Sequence, residues 1–186
     1  VPKRPGKMVK QSLFPGMEIP TDQKEATLAL EWLHSFLNAY SLRFFLLAWL
    51  SENQGVEMDL WKFLQYTLHL KDPGQVLDHF QEPIVSRLIL LARQVSGEAH
   101  RLKGLIRFRM IQEDTFYGPF EPDHQVLSLL VPFFRKRFGN QRWILHDCRR
   151  STAVLHDHGE MFPIDSISGS EEILASSADQ VEKLWQ

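Results

Sequence analysis

Only one cysteine, Cys148, occurs in 186 residues. That excludes a disulfide framework within the chain and a cysteine-based zinc site. A reducing, cytoplasmic setting is expected. No apolar run reaches the roughly 18 residues that a membrane span requires. The longest candidate, Phe44 to Leu50, stops at Ser51-Glu52. An apolar stretch behind the basic start Val1-Pro-Lys-Arg-Pro-Gly-Lys7 is also missing, so no secretory signal is expected. Glycine-rich phosphate loops and Ser-His-Asp spacing are absent, and no motif implies a cofactor or a metal.

What remains is an ordinary globular composition, 44% hydrophobic and 24% charged, of a length suited to one domain. The net charge of −2 conceals an uneven distribution. Residues 1–10 carry +4, residues 11–86 carry −6, residues 87–150 carry +6 and residues 151–186 carry −6. Ten of the twelve bases in the third block are arginine. Such asymmetry suits a segment that faces a polyanion, although pairing of the basic block with its acidic flanks would also account for it.

Proline and glycine recur through residues 1–20, which read as an extended arm before a single domain over 21–186. Residues 21–103 read as helical. Thr21 or Asp22 caps a first helix with Leu30, Leu33, Leu37 and Tyr40 on one face, and Ser41 starts a second with Leu42, Phe45, Leu46 and Trp49 inward. Leu60, Phe63, Leu64, Thr67 and Leu68 define a third, and Asp72-Pro-Gly74 a turn. Pro83 opens a fourth, whose buried stripe is Leu88, Leu91, Ala92, Val95, Ala99 and Leu102 and which Gly104 ends. The period then falls to two. Residues 104–158 are expected to form a β-β-α-β-β antiparallel unit, with strands over 105–110, 115–120, 142–148 and 153–158. Its helix, opened by Glu121-Pro-Asp-His124, carries Pro132, which should kink it. Residues 159–175 read as loop and 176–185 as a short helix. The fold class is α+β, and Trp32, Trp49, Trp61, Phe63, Phe133 and Phe134 are most simply core.

Several groups invite a functional reading. Arg93, His100 and Lys103 share a face of the fourth helix. Arg107 and Arg109 alternate on the first strand and are expected to share a sheet face with Tyr117, an arrangement of cations and an aromatic suited to bases and phosphates. An ordinary solvated face is the plainer alternative. Arg149 and Arg150 fall at a hairpin tip, placed for phosphate contact or for pairing with Asp147 or Glu121. Asp123 suits a helix cap. Glu121, Asp123, His124 and Asp147 are candidate acid-base residues without an evident nucleophile. Basic neighbours would lower the pKa of Cys148 if it were exposed, but a lone buried cysteine is the simpler reading. His156 and His158 with Asp147 have the composition of a two-histidine, one-carboxylate iron site, but no metal site is assigned.

The segment from Val95 to Arg150 resembles a bacterial family labelled probable DNA metabolism protein. The resemblance rests on Ala99-His-Arg-Leu-Lys-Gly-Leu-Ile-Arg-Phe108, Glu121-Pro-Asp-His124 and Gln141-Arg-Trp-Ile-Leu-His-Asp-Cys-Arg-Arg150, with Gln11-Ser-Leu-Phe14 and Ile19-Pro-Thr-Asp22 in support. It implies a setting: members accompany a radical-SAM protein thought to act on DNA, or are fused to a uracil-DNA-glycosylase-like domain. The family pattern also includes a strand and helix before the position of Val1, and a segment rich in Arg, Asn, Gln and Pro after Leu184-Trp185. The expected function is a nucleic-acid-associated accessory domain in DNA repair or modification. An enzyme acting on nucleic acid and a protein-docking scaffold are the alternatives.

Overall fold

Asp22 is extended, and its carboxylate accepts the backbone N–H of Lys24 at 2.7 Å. This satisfies one of the orphan donors of a helix start. The computed structural model describes residues 22–112 and 114–164. The expected arm over 1–20 and the expected helix over 176–185 lie outside the described residues. Helix α1 (Gln23–Phe36) leads to α2 (Ala39–Trp49), where Asn38 caps by accepting from Ser41 N at 2.7 Å. Gly55, at φ 81°, takes the left-handed conformation that starts α3 (Val56–Leu68). A 3-10 turn over Pro73–Asp78 follows, and then the 23-residue α4 (Pro83–Leu105), with Pro83 in its first turn.

The sheet comprises β1 (Arg109–Gln112), β2 (Thr115–Phe120), β3 (Arg142–Asp147), β4 (Thr152–Asp157) and β5 (Glu160–Ile164), in that spatial order. Helix α5 (Leu127–Phe138) lies between β2 and β3 in the chain. The α+β architecture agrees with the expectation, with differences of detail. β2 and β3 run parallel, because the intervening helix returns the chain to the start of the sheet, whereas a short turn would have reversed it. Residues 160–164, read as loop, form an edge strand, a position where Pro163 is tolerated. Helix α4 runs through Gly104 to Leu105, so the first strand begins at Arg109 and Arg107 lies in the link before it. Helix α5 starts at Leu127, four residues beyond Asp123, which therefore does not cap it. Pro132 does sit within that helix.

Helix α4 serves two cores. Val85, Leu88 and Leu91 pack with Leu42, Val56, Phe63 and Val76 of the helical half. Ala92, Val95 and Ala99 pack with Leu130 and Phe134 of α5 and with Phe120, Trp143 and Leu145 of the sheet. Phe63 and Phe134 are buried as expected. Trp32, Trp49 and Trp61 are not: Trp32 is 47% and Trp61 55% exposed, because each lies off the apolar stripe of its helix. Leu30, Tyr40, Leu46 and Leu68 also face outward.

On the helix-facing side of the sheet, Phe108 lies across Gly118 and between Phe134 and Phe138, with ring centroids at 5.0 and 4.6 Å. A Cβ at position 118 would stand 2.7 Å from that ring. The two phenylalanines flank the ring on the helix side. Gly118→Ala is therefore expected to destabilise the domain by about 1–3 kcal/mol, as overpacking does. Chemical denaturation of Gly118→Ala, and of the same change combined with Phe108→Leu, checks this; the double variant should recover part of the loss.

Candidate functional site

The parallel strands β2 and β3 end side by side, and the Cys148 N–H donates to the Phe120 carbonyl at 2.9 Å. The chain beyond each strand meets there, bringing Glu121-Pro-Asp-His124 against Asp147-Cys-Arg-Arg150. Asp147 is fully buried. Its Oδ1 accepts from the backbone N–H groups of Arg149 and Arg150 at 3.1 and 3.2 Å, and its Oδ2 accepts from Arg150 Nη1 at 3.0 Å. Arg150, with 9% of its side chain exposed, donates its Nε and Nη2 to Glu52 Oε2 at 2.9 and 2.6 Å. It also donates to the carbonyls of Pro122 and Asp123. Burial depresses the guanidinium pKa, but hydrogen bonds and charge from Glu52 and Asp147 outweigh this and raise it, so the group stays cationic. Burial pushes the Asp147 carboxyl up, against the pull of Arg150.

Two further contacts close the junction. Glu98 of α4 accepts from the backbone N–H groups of Asp123 and His124 at 2.7 and 2.9 Å. His124 Nδ1 donates to the Ser51 carbonyl at 3.1 Å, which fixes its tautomer when neutral. Arg149 pairs with Asp123 Oδ1 at 2.6 Å on the surface.

Several expectations change as a result. Arg150 is a buried ion-pair centre and is not available to a phosphate. Arg149 is already paired with Asp123. Asp147 has both oxygens engaged and its carboxylate is spoken for, which removes it as a general base. Asp123, whose side chain is 82% exposed, serves as a partner for Arg149. Glu121 is exposed, and His124 borders an open cleft of about 490 Å³ together with Asn53, Arg93, Gln94 and Arg101, and with the carboxylates of Glu98, bonded to backbone N–H groups, and Asp123, paired with Arg149.

On the outer face of α4, Arg93, His100 and Arg101 are exposed, and Lys103 is half-buried with its ammonium 5.7 Å from the Phe133 ring centroid. Glu98 is the one acid in α4, and it points inward to the junction. Among the described residues, none of these four bases forms an ion pair. Arg107 is exposed and donates to the Gly104 carbonyl at 2.7 Å, satisfying an orphan acceptor at the helix end.

Residues 54–186, most of the chain, match a family described as a domain of unknown function, DUF4130. The chain belongs to the DUF4130 family. No curated protein and no solved structure matches it.

The far face of the DUF4130 sheet corrects the expected stacking platform. Arg109 is cross-strand from Tyr117 and so shares its face, but Tyr117 is fully buried. Its hydroxyl meets His146 Nδ1 at 2.6 Å, so it offers no ring to a base. Burial raises the Tyr117 pKa and lowers that of His146, leaving both neutral. The Cys148 thiol is pushed up by burial, and the acids Glu121 and Asp147 add to this, so its arginine neighbours do not make it a ready thiolate. His156 pairs across the hairpin with Trp143 and stacks on it at 5.1 Å, while Asp147 pairs with Thr152 at the other end. His158 is exposed at the next turn and bonded to Asp157. The three do not converge, and no group of three or more potential ligands occurs among the described residues.

Glu52, Glu98, Arg101 and His146 were not singled out from sequence. Glu98 carried a signal: it is the lone acid on the apolar stripe of α4, three residues after Val95. Arg101 lies eight residues from Arg93 and could have been placed by the same helical spacing.

Two outcomes are expected in the DUF4130 domain. Arg150→Met leaves the buried Asp147 carboxylate without its cation and should cost about 3–5 kcal/mol, read by chemical denaturation. Burial holds the His146 imidazole below its ordinary pKa of about 6.5, so it takes up a proton first in the unfolded state. Its contribution is thus present near neutral pH and lost as pH falls below about 6.5, at up to about 1.4 kcal/mol per pH unit. Urea midpoints across this range should fall less steeply for His146→Gln than for the parent.

Proposed function

We propose that this domain binds nucleic acid through the outer face of α4, as an accessory to a partner in DNA repair or modification. The observation that carries the proposal is the run of Arg93, His100, Arg101 and Lys103 without an acid partner among the described residues, where the only acid of the helix is turned inward. Bases left unpaired on one face are a phosphate-binding footprint. The resemblance to proteins that accompany a radical-SAM protein, or that are fused to a uracil-DNA-glycosylase-like domain, supports the DNA setting and suggests such a partner. A catalytic reading through Glu121, Asp123, His124 and Asp147 has less support, because Asp147, Asp123 and the Nδ1 of His124 are committed to structural bonds. Among the described residues no helix is long and apolar enough to cross a membrane.

Binding of labelled DNA, followed by fluorescence anisotropy across a salt series, tests the proposal. Affinity should fall steeply with salt. Each of Arg93→Ala and Arg101→Ala should reduce the slope by about 0.9 on duplex or about 0.7 on single-stranded DNA. Parent-like slopes in both variants, or no binding at low salt, would reject it.

A further inference from the structure

A groove of about 820 Å³ lies between α2, the 3-10 turn and α4. Aromatic side chains line it. Phe44 is anchored against the helical core, and Tyr40 packs on it with ring centroids 4.9 Å apart. Yet Tyr40 is 61% exposed, and Phe80, also lining the groove, is 64% exposed. Rings of this size left open to solvent in a recess forgo the stabilisation that burial would bring.

The charges around the groove are ordered. Arg87, on one wall, is bonded to Asp59 and is not free. Arg93 lines both this groove and the cleft that contains Arg101 and His124, so the two recesses adjoin at Arg93. Asp78 is the one acid in the groove lining. A carboxylate repels phosphate but accepts from an exocyclic amine of a base. The Arg93–Arg101 cleft also holds Glu98 and Asp123, but Glu98 is bonded to the backbone N–H groups of Asp123 and His124 and Asp123 is paired with Arg149, so Arg93 and Arg101 are the charges left there for phosphate, and bases suit the aromatic groove.

We infer that the groove takes unstacked bases of a single-stranded nucleic acid whose backbone follows Arg93 and Arg101. This rests on the nucleic-acid reading above and specifies its ligand. Base faces in a duplex are covered by their neighbours and cannot reach Tyr40 or Phe80, whereas every base of a single strand has a face to offer. The combination of a cationic track with recessed aromatic rings complements a single strand and gives a duplex no use for the rings.

The test uses the full chain, a labelled single-stranded DNA oligonucleotide and its duplex. Tyr40→Leu and Phe80→Leu remove exposed rings while keeping apolar volume, and circular dichroism verifies folding. Each should weaken single-strand binding by about 5- to 150-fold without changing the salt slope, and should leave duplex affinity unchanged. Phe80→Tyr keeps a ring and should retain binding. A 2-aminopurine placed in the oligonucleotide should change fluorescence on binding to the parent and not to Tyr40→Leu. If both leucine variants bind the single strand like the parent while Arg93→Ala and Arg101→Ala still flatten the salt slope, this inference falls and the α4 reading stands. Equal losses on single strand and duplex would also overturn it. If neither nucleic acid binds at low salt, both fall together.

Discussion

One guanidinium ties the turn at the end of the sheet to the loop between two helices of the helical half. Arg150, at the end of the β3–β4 turn, holds Asp147 of the sheet and Glu52 of the loop between α2 and α3, and it reaches the carbonyls that precede α5. One cation among two carboxylates and two carbonyls suits arginine, whose planar fork presents five donors, whereas lysine would leave most of these acceptors unmet. Burying the three charges is costly, and the pairing mainly offsets that cost. What it provides is a fixed geometry. Because the acceptors belong to separate segments, the guanidinium can satisfy all of them only when these segments are docked in register. Glu98 extends the same logic to α4, by binding the two backbone N–H groups at Asp123 and His124.

Helix α4 carries the consequences outward. Its inner stripe is shared by both cores, so its position is determined from two sides. Its acid is consumed by the junction, Arg93 and Arg101 border the same cleft without pairing to it, and His100 and Lys103 line a recess against α2. A rigid helix with an unpaired cationic face is better suited to bind a polyanion than the same charges on a mobile loop, because little conformational entropy remains to be lost.

Much of the fold was legible from the sequence. Four helices, the switch from a period of 3.6 to 2 after α4, and four strands follow from apolar spacing alone. The errors have physical origins. Large aromatics are usually buried, but Trp32 and Trp61 each sit off the stripe that Leu33 on α1 and Leu60 and Phe63 on α3 define. The fifth strand is short and contains Pro163, which an edge position allows. The parallel pairing of β2 and β3 is a tertiary choice that alternation within each strand does not encode. The candidate site was only partly legible. The Glu52–Arg150 contact joins residues 98 apart in sequence, which no local pattern reports. Tyr117 illustrates the converse: alternation gave its face correctly, but whether that face is solvated is a property of the whole molecule.

The charge blocks can now be separated into two kinds. Pairing of the basic middle with acidic residues accounts for Arg87 with Asp59, Arg142 with Asp157, Arg149 with Asp123, and Arg150 with Glu52 and Asp147. Three of these pairs are exposed enough to be worth little, and the Arg150 cluster holds the junction. The same explanation does not extend to Arg93 and Arg101, which form no ion pair among the described residues although Glu98 and Asp123 line the same cleft, because those carboxylates are engaged elsewhere. If charge balance were the only constraint, the net −6 of residues 11–86 would supply partners for α4 as readily as for the sheet turns. Instead Arg93 stands where an aromatic groove meets a polar cleft, with Asp78 on the side away from Arg101's cleft. Leaving this helix face unpaired costs little in water, because exposed cations are well solvated, and it keeps the bases available for a partner of opposite charge.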